Sequence, residues 1–191
     1  MDADDIQAWL YGQAEADDED PLHPVELAQR AKIDVVRSDM HGPKRGRMDD
    51  GVIRIGRRLT GSALTWVVAH ELAEHCLRET GYVDEDIERR ADSGAAAIIM
   101  PRRAFVKHLR HAAISEMARF YDVSGTAASL RFGEVTGRPT VVIAPTHIHI
   151  RGEPFEWGDL PGLAKAKAAP DEVDRAMLFD DHRRVRLIVK K

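Results

Sequence analysis

The chain has a single cysteine, Cys76, in 191 residues. That excludes an internal disulfide framework and any cysteine-rich zinc site. Long apolar runs are missing as well, and nothing approaches the roughly 18 residues that a membrane-spanning helix needs. The first twenty residues hold no Lys or Arg but eight Asp and Glu. A secretory leader would begin with the opposite charge. No internal repeat and no long low-complexity tract is present. These absences point to a chain in a reducing, cytoplasmic setting, away from any membrane. Beyond residue 20 the balance is mildly positive, 28 basic against 24 acidic side chains. That excess is too small to argue for a nucleic-acid partner.

What is present is an ordinary globular composition, 43% hydrophobic, at a length that suits one domain with an appendage. Residues 1–20 read as an acidic N-terminal tail: a short helix around Ile6, Trp9 and Leu10, then a solvated run at 15–20. The alternative is a strap folded over a basic groove. Pro24 opens a helix, where its missing N–H costs little. Strands are expected at 33–36 and 52–56, around a basic, turn-rich stretch at 41–51. Helices follow at about 63–78, 84–100, 102–111, 114–121 and 124–132. A β run at 140–144 comes next, which 147–150 continues. After a Gly-, Pro- and Ala-rich linker at 152–170, a short helix near 171–179 and a strand at 185–189 close the chain. The expected class is α+β, mostly helical with a small sheet.

The segment ALTWVVAHELAEHCLR, residues 63–78, is the most informative. It is apolar along most of its length, so it belongs inside the domain. Yet it carries His70, Glu71, Glu74 and His75. Charges in such a helix cost several kcal/mol unless paired or metal-bound. One account is a buried charge network without metal. The other is a metal site. Metallopeptidase helices of the form His-Glu-x-x-His set two ligands one turn apart, with the Glu beside them as general base. Here the order is His-Glu-Leu-Ala-Glu-His. Glu74 lies about 40° round a regular helix from His70, and His75 about 140° away. A regular helix therefore aims His70 and Glu74 at one ion. Only a π-type bulge would bring His75 back as the alternate ligand. Carboxylate oxygen is an accepted zinc ligand, though replacing imidazole with it moves the site towards Mn or Fe. Glu88, across the Gly81 turn, is the candidate third ligand. Asp92, one turn later, can accept a hydrogen bond from the free ring nitrogen of His70.

Three segments together resemble the ImmA/IrrE-type metallopeptidases. TWVVAHELAEH is similar to that family's active-site helix. ERRADSGAAAIIMP, residues 88–101, resembles its second signature. EMARFYDVSGTAASLRF, residues 116–132, is similar to the helical segment that follows, a degenerate helix-turn-helix within about 114–132. The resemblance covers about 21–145 and leaves 146–191 as a C-terminal extension without a reading. It implies a zincin-like metallopeptidase domain in which His70 is the first ligand, Glu71 the general base and Glu88 the third ligand. The family's second histidine falls on Glu74, and its usual Phe falls on Gly94.

The function so implied is metal-dependent hydrolysis of a peptide bond in a protein partner, such as a helix-turn-helix repressor. One divalent metal is implied, zinc first, with Mn or Fe as the harder alternatives. A catalytically inactive zincin-fold module that regulates a transcription factor by recognition alone is the second reading, motivated by Glu74. A DNA-binding protein is the third. It is the weakest because SGTAASLR offers few base-reaching side chains; packing suits that segment better. Tyr82, Tyr121, His147 and His149 are oxyanion-donor candidates by residue type alone. His108 and His111 read as a solvated basic face. Cys76 reads as a small core residue.

Overall fold

Capping and burial, rather than charge, organise the start of the chain. In the computed structural model, which describes residues 1–40, 45–138, 140–143, 148–151, 173–179 and 185–190, α1 spans Ala3–Gln13. Asp2 accepts from the Asp5 amide and Asp5 from the Asp2 amide, both at 2.9 Å. This reciprocal box satisfies two otherwise orphaned donors, and the acidic first turn suits the positive end of the helix dipole. Ile6 and Leu10 are fully buried, each worth about 1.5–3 kcal/mol of burial. The Tyr11 hydroxyl donates to the Ile98 carbonyl at 3.2 Å and accepts from the Leu22 amide at 3.3 Å. Burial raises its phenol pKa. The helix expected around Ile6, Trp9 and Leu10 forms and packs its apolar side into the fold, while residues 15–20 stay largely exposed. The acidic residues find cations. Asp4 pairs with Arg102 at 3.0 Å, and Asp18 and Glu19 pair with Arg103.

Contacts divide the chain into two units, Met1–His111 and Ala112–Lys191. In the first, α2 (Pro24–Arg30) leads into β1 (Asp34–Ser38), β2 (Gly46–Asp49) and β3 (Val52–Gly56). The sheet order is β1-β3-β2, with β1 parallel and β2 antiparallel to β3. Strand β2 lies where only a basic turn was expected. Its hairpin to β3 turns on Asp50 and Gly51, at φ 49° and 76°, the Asp-Gly pair that two-residue hairpins favour. Ile53 and Ile55 face inward and are buried.

The central element is α3 (Gly61–Glu79), which contacts α1, α2, β2, β3 and α4 (Ile87–Ile99). Val68, Ala69, Leu72, Ala73, Cys76 and Leu77 are all fully buried. Helix α4 approaches closely at Gly94, where a Cβ would lie 2.9 Å from the Ala73 Cβ and 2.9 Å from the Ile6 Cδ1. Ile6, delivered by α1, fills the space beside Gly94. Helix α5 (Arg102–Leu109) completes the unit.

In the second unit, α6 (Ile114–Phe120) and α7 (Gly125–Thr136) are followed by β4 (Thr140–Ile143), β5 (Ile148–Arg151), β6 (Val173–Phe179) and β7 (Val185–Lys190). The Ser124 hydroxyl caps α7 by accepting from the Ala127 amide, and left-handed Gly137 ends it. The four strands form one antiparallel sheet, β5-β4-β7-β6. Residues 173–179 are a strand, not the short helix expected there. Pairing along β7 overrides the local preference. The linker at 152–170 lies outside the described residues. Among the described residues, no helix is long and apolar enough to cross a membrane.

Candidate active site

Helix α3 is α-helical from Gly61 to Glu79 without a π-bulge. Its side chains therefore keep the 100° step, and one stripe of the helix opens onto a cavity of about 260 Å³. Trp66, Val67, His70, Glu71 and Glu74 line it from α3, Glu88 and Asp92 from α4, and Arg45 and Gly46 from the start of β2. His75 is not among the lining residues. It packs edge-on against Trp9 of α1, ring centroids 6.2 Å apart.

His70 is held from both sides. Its Nδ1 lies 3.0 Å from Asp92 Oδ1, and its Nε2 lies 3.3 Å from Glu88 Oε2. The hydrogen-bonded Asp92 carboxylate raises the imidazole pKa. Partial burial opposes the rise, and the charges of Asp92, Glu71 and Glu88 add to it. Glu88 sits in the first turn of α4 and Asp92 one turn later, so a single helix face delivers both carboxylates. Glu71 is buried, at 6% exposure. Glu74 turns along its own helix to Arg78, whose Nε donates to Glu74 Oε1 at 3.0 Å and whose Nη2 closes on the same oxygen.

The divalent ion that the resemblance implies can be tested against these atoms. Two ligands about 2.0–2.2 Å from a tetrahedral ion stand roughly 3.4 Å apart, close to the His70 Nε2–Glu88 Oε2 separation of 3.3 Å. Asp92 on the far ring nitrogen supplies the orienting carboxylate that ligand histidines usually have. Among the described residues, no three His, Cys, Asp or Glu side chains converge on one point as they stand. The third carboxylate, Glu74, lines the same cavity but is engaged by Arg78. The donor chemistry suits a divalent cation, while Glu74 as it stands is turned to Arg78.

Sequence reasoning missed the strand side of the cavity. Gly46 carries the close approach: a Cβ there would lie 2.4 Å from Val67 Cγ1 and 3.0 Å from Glu71 Oε1. A glycine within a strand is a signal of such backbone approach, but it is readable only once β2 is known to be a strand. Arg78 was legible locally, as a Glu followed four residues later by Arg. Of the oxyanion candidates, Tyr82 is not among the residues that line the cavity; its hydroxyl accepts from the Met1 amino group and its ring lies under Arg90. Tyr121 is buried in the second unit, edge-on to Phe120. His147 lies outside the described residues, and for His149 only the backbone in β5 is described. In the helix-turn-helix-like segment, Arg131 is fully buried beside Glu134 at 2.9 Å. Ala127, Ala128, Ser129, Phe132 and Val135 of α7 are buried too. A DNA-reading helix needs an exposed polar face, so α7 is a packing helix.

No curated protein matches the chain in sequence. A family model described as the IrrE N-terminal-like domain, of the M78 peptidases, matches residues 28–132, more than half of the chain. The match takes in both helices that build the cavity and the sheet beside it. The α+β arrangement of a long buried helix, a small mixed sheet and a second helix carrying Glu88 and Asp92 is zincin-like. The chain belongs to the IrrE N-terminal-like domain family of M78 peptidases.

Proposed function

We propose that this protein is a metal-dependent peptidase-like regulator that hydrolyses a peptide bond in a protein partner, with a helix-turn-helix repressor as the partner class. The observation that carries the reading is His70, fixed between Glu88 and Asp92 in a cavity that buried Glu71 also lines. His70, Glu74 and Glu88 would hold the ion, zinc first and Mn or Fe as the harder alternatives, with Asp92 orienting His70. When bound, such a cation supplies Lewis-acid activation of water and of the scissile carbonyl. Glu71 accepts the proton of the attacking water and hands it to the leaving amine. Its burial against Val67 and the β2 backbone fixes the carboxylate and keeps bulk water from it. Arg45 places a positive charge on the strand side of the cavity, where an oxyanion develops. The setting is read as cytoplasmic.

A second reading, a binding module without catalysis, is favoured by the Glu74–Arg78 pair, which leaves two donors in place rather than three. One experiment separates the two. The purified chain and Glu71→Gln are loaded with Zn or Mn and incubated with a proteome-derived peptide library, and new N-termini are counted by mass spectrometry. A peptidase yields cleavage that Glu71→Gln abolishes at unchanged metal content. Equal product from both, or none from either at full metal load, sinks the peptidase reading.

A further inference from the structure

The cavity stripe of α3 ends on an ion pair. Glu74 follows His70 by one turn, and Arg78 follows Glu74 by one turn. Both Arg78 donors close on a single oxygen, Glu74 Oε1. The Arg78 side chain is 57% exposed, whereas the Glu74 side chain is 17% exposed. Two other acidic groups of the cavity wall, Glu88 and Asp92, turn to His70 instead. Glu74 is therefore the one carboxylate of the proposed ligand set that a full, permanent positive charge holds in a competing geometry.

We propose that Arg78 is a latch on the metal site: by holding Glu74 along the helix, it makes uptake of a divalent cation an exchange of one cationic partner for another at Glu74. This rests on the ligand set proposed above. Arg78 is a positioning residue, whose direct contact with the ligand set is Glu74. Two physical effects oppose the incoming ion. The arginine fork must release the carboxylate oxygen, and the released guanidinium remains near a dication. Arginine stays protonated throughout the usable pH range, so the guanidinium never leaves the pair by losing its own proton. A His-Glu-x-x-His helix has no such competition, because neutral imidazole forms no salt bridge with arginine. Glutamate at position 74 is thus a ligand whose availability Arg78 sets.

The test uses the full chain stripped of metal. MnCl2 and ZnCl2 are titrated separately by calorimetry and by tryptophan fluorescence, to which Trp66 of the cavity wall contributes beside the other two tryptophans. Arg78→Ala should tighten binding of both ions by about five- to tenfold, the product of releasing an exposed pair and removing one nearby charge. Arg78→Lys keeps the charge but loses the fork, so its affinity should fall between the two. Glu74→Gln should weaken binding at least tenfold, and adding Arg78→Ala to it should recover much less than in the parent. If Glu74→Gln binds as the parent does, or if no form binds either ion, the ligand set itself is wrong and the latch falls with it. If Glu74→Gln weakens binding but Arg78→Ala does not tighten it, the ligand set stands and the latch is overturned. An equal gain from Arg78→Ala with and without Glu74 also overturns it, because the effect is then remote charge alone.

Discussion

Replacing Gly46 by alanine puts a methyl group into the narrowest point between β2 and α3. That Cβ would lie 2.4 Å from Val67 Cγ1, 3.0 Å from Glu71 Oε1 and 3.3 Å from Glu71 Cγ. Apolar carbons settle at about 3.5–4.0 Å, so the strand or the valine must yield by more than about 1 Å. Val67 is β-branched within a helix and has essentially one χ1 well. The strand must therefore move. Overpacking of this kind costs about 1–3 kcal/mol. Loss of glycine's freedom in the unfolded chain returns about 0.4–1 kcal/mol. Strand β2 has four residues and one neighbour, β3, so it gives way more easily than a central strand. The expected net loss is about 1–2 kcal/mol, read as a fall in the urea midpoint of roughly 0.5–1 M at constant slope. Val67→Ala removes the atom in conflict, so in a double-mutant cycle it should relieve most of the Gly46→Ala penalty. A Gly46→Ala protein as stable as the parent would refute the reasoning. So would a penalty that Val67→Ala leaves intact, because the contact would then not be its source.

Two further outcomes follow from the same contacts. Ile6→Ala empties the space beside Gly94 at a site 1% exposed and should cost about 2–4 kcal/mol in thermal or urea unfolding. A loss below about 0.5 kcal/mol would mean that α1 is not docked in solution. The metal-free protein should also lose stability as pH rises. The folded-state pKa of His70 is raised above 6.5, chiefly by Asp92, so its contribution is fully present below about pH 6.5 and is lost as pH climbs through the raised value. Urea midpoints measured from pH 5.5 to 9 should show this fall, and Asp92→Asn should flatten it. An unchanged profile in Asp92→Asn would remove Asp92 as the cause.

Legibility in the sequence followed the range of the interaction. The site helix, its inward apolar side and the shared direction of His70 and Glu74 are consequences of a 100° step, and that step holds wherever the helix is regular. The spacing from Glu88 to Asp92 put both carboxylates on one face for the same reason. The Asp50-Gly51 turn was equally local and fell within the turn-rich stretch expected at 41–51, but the strand β2 leading into it was not expected, nor with it the roles of Gly46 and Arg45. Other features had no local trace. Whether an acidic stretch stays in water depends on what its few apolar residues can touch, and Ile6 meets a gap at Gly94 created more than eighty residues away. The strand at 173–179 exists because β7 offers a hydrogen-bonding edge, a partner that no propensity within the segment encodes. Glu74 shows the two ranges meeting. Its direction was set by the helix, and its nearest cation was four residues on, both legible. That it also lines a cavity with Glu88 and Asp92 was decided only by the packing of α4 against α3.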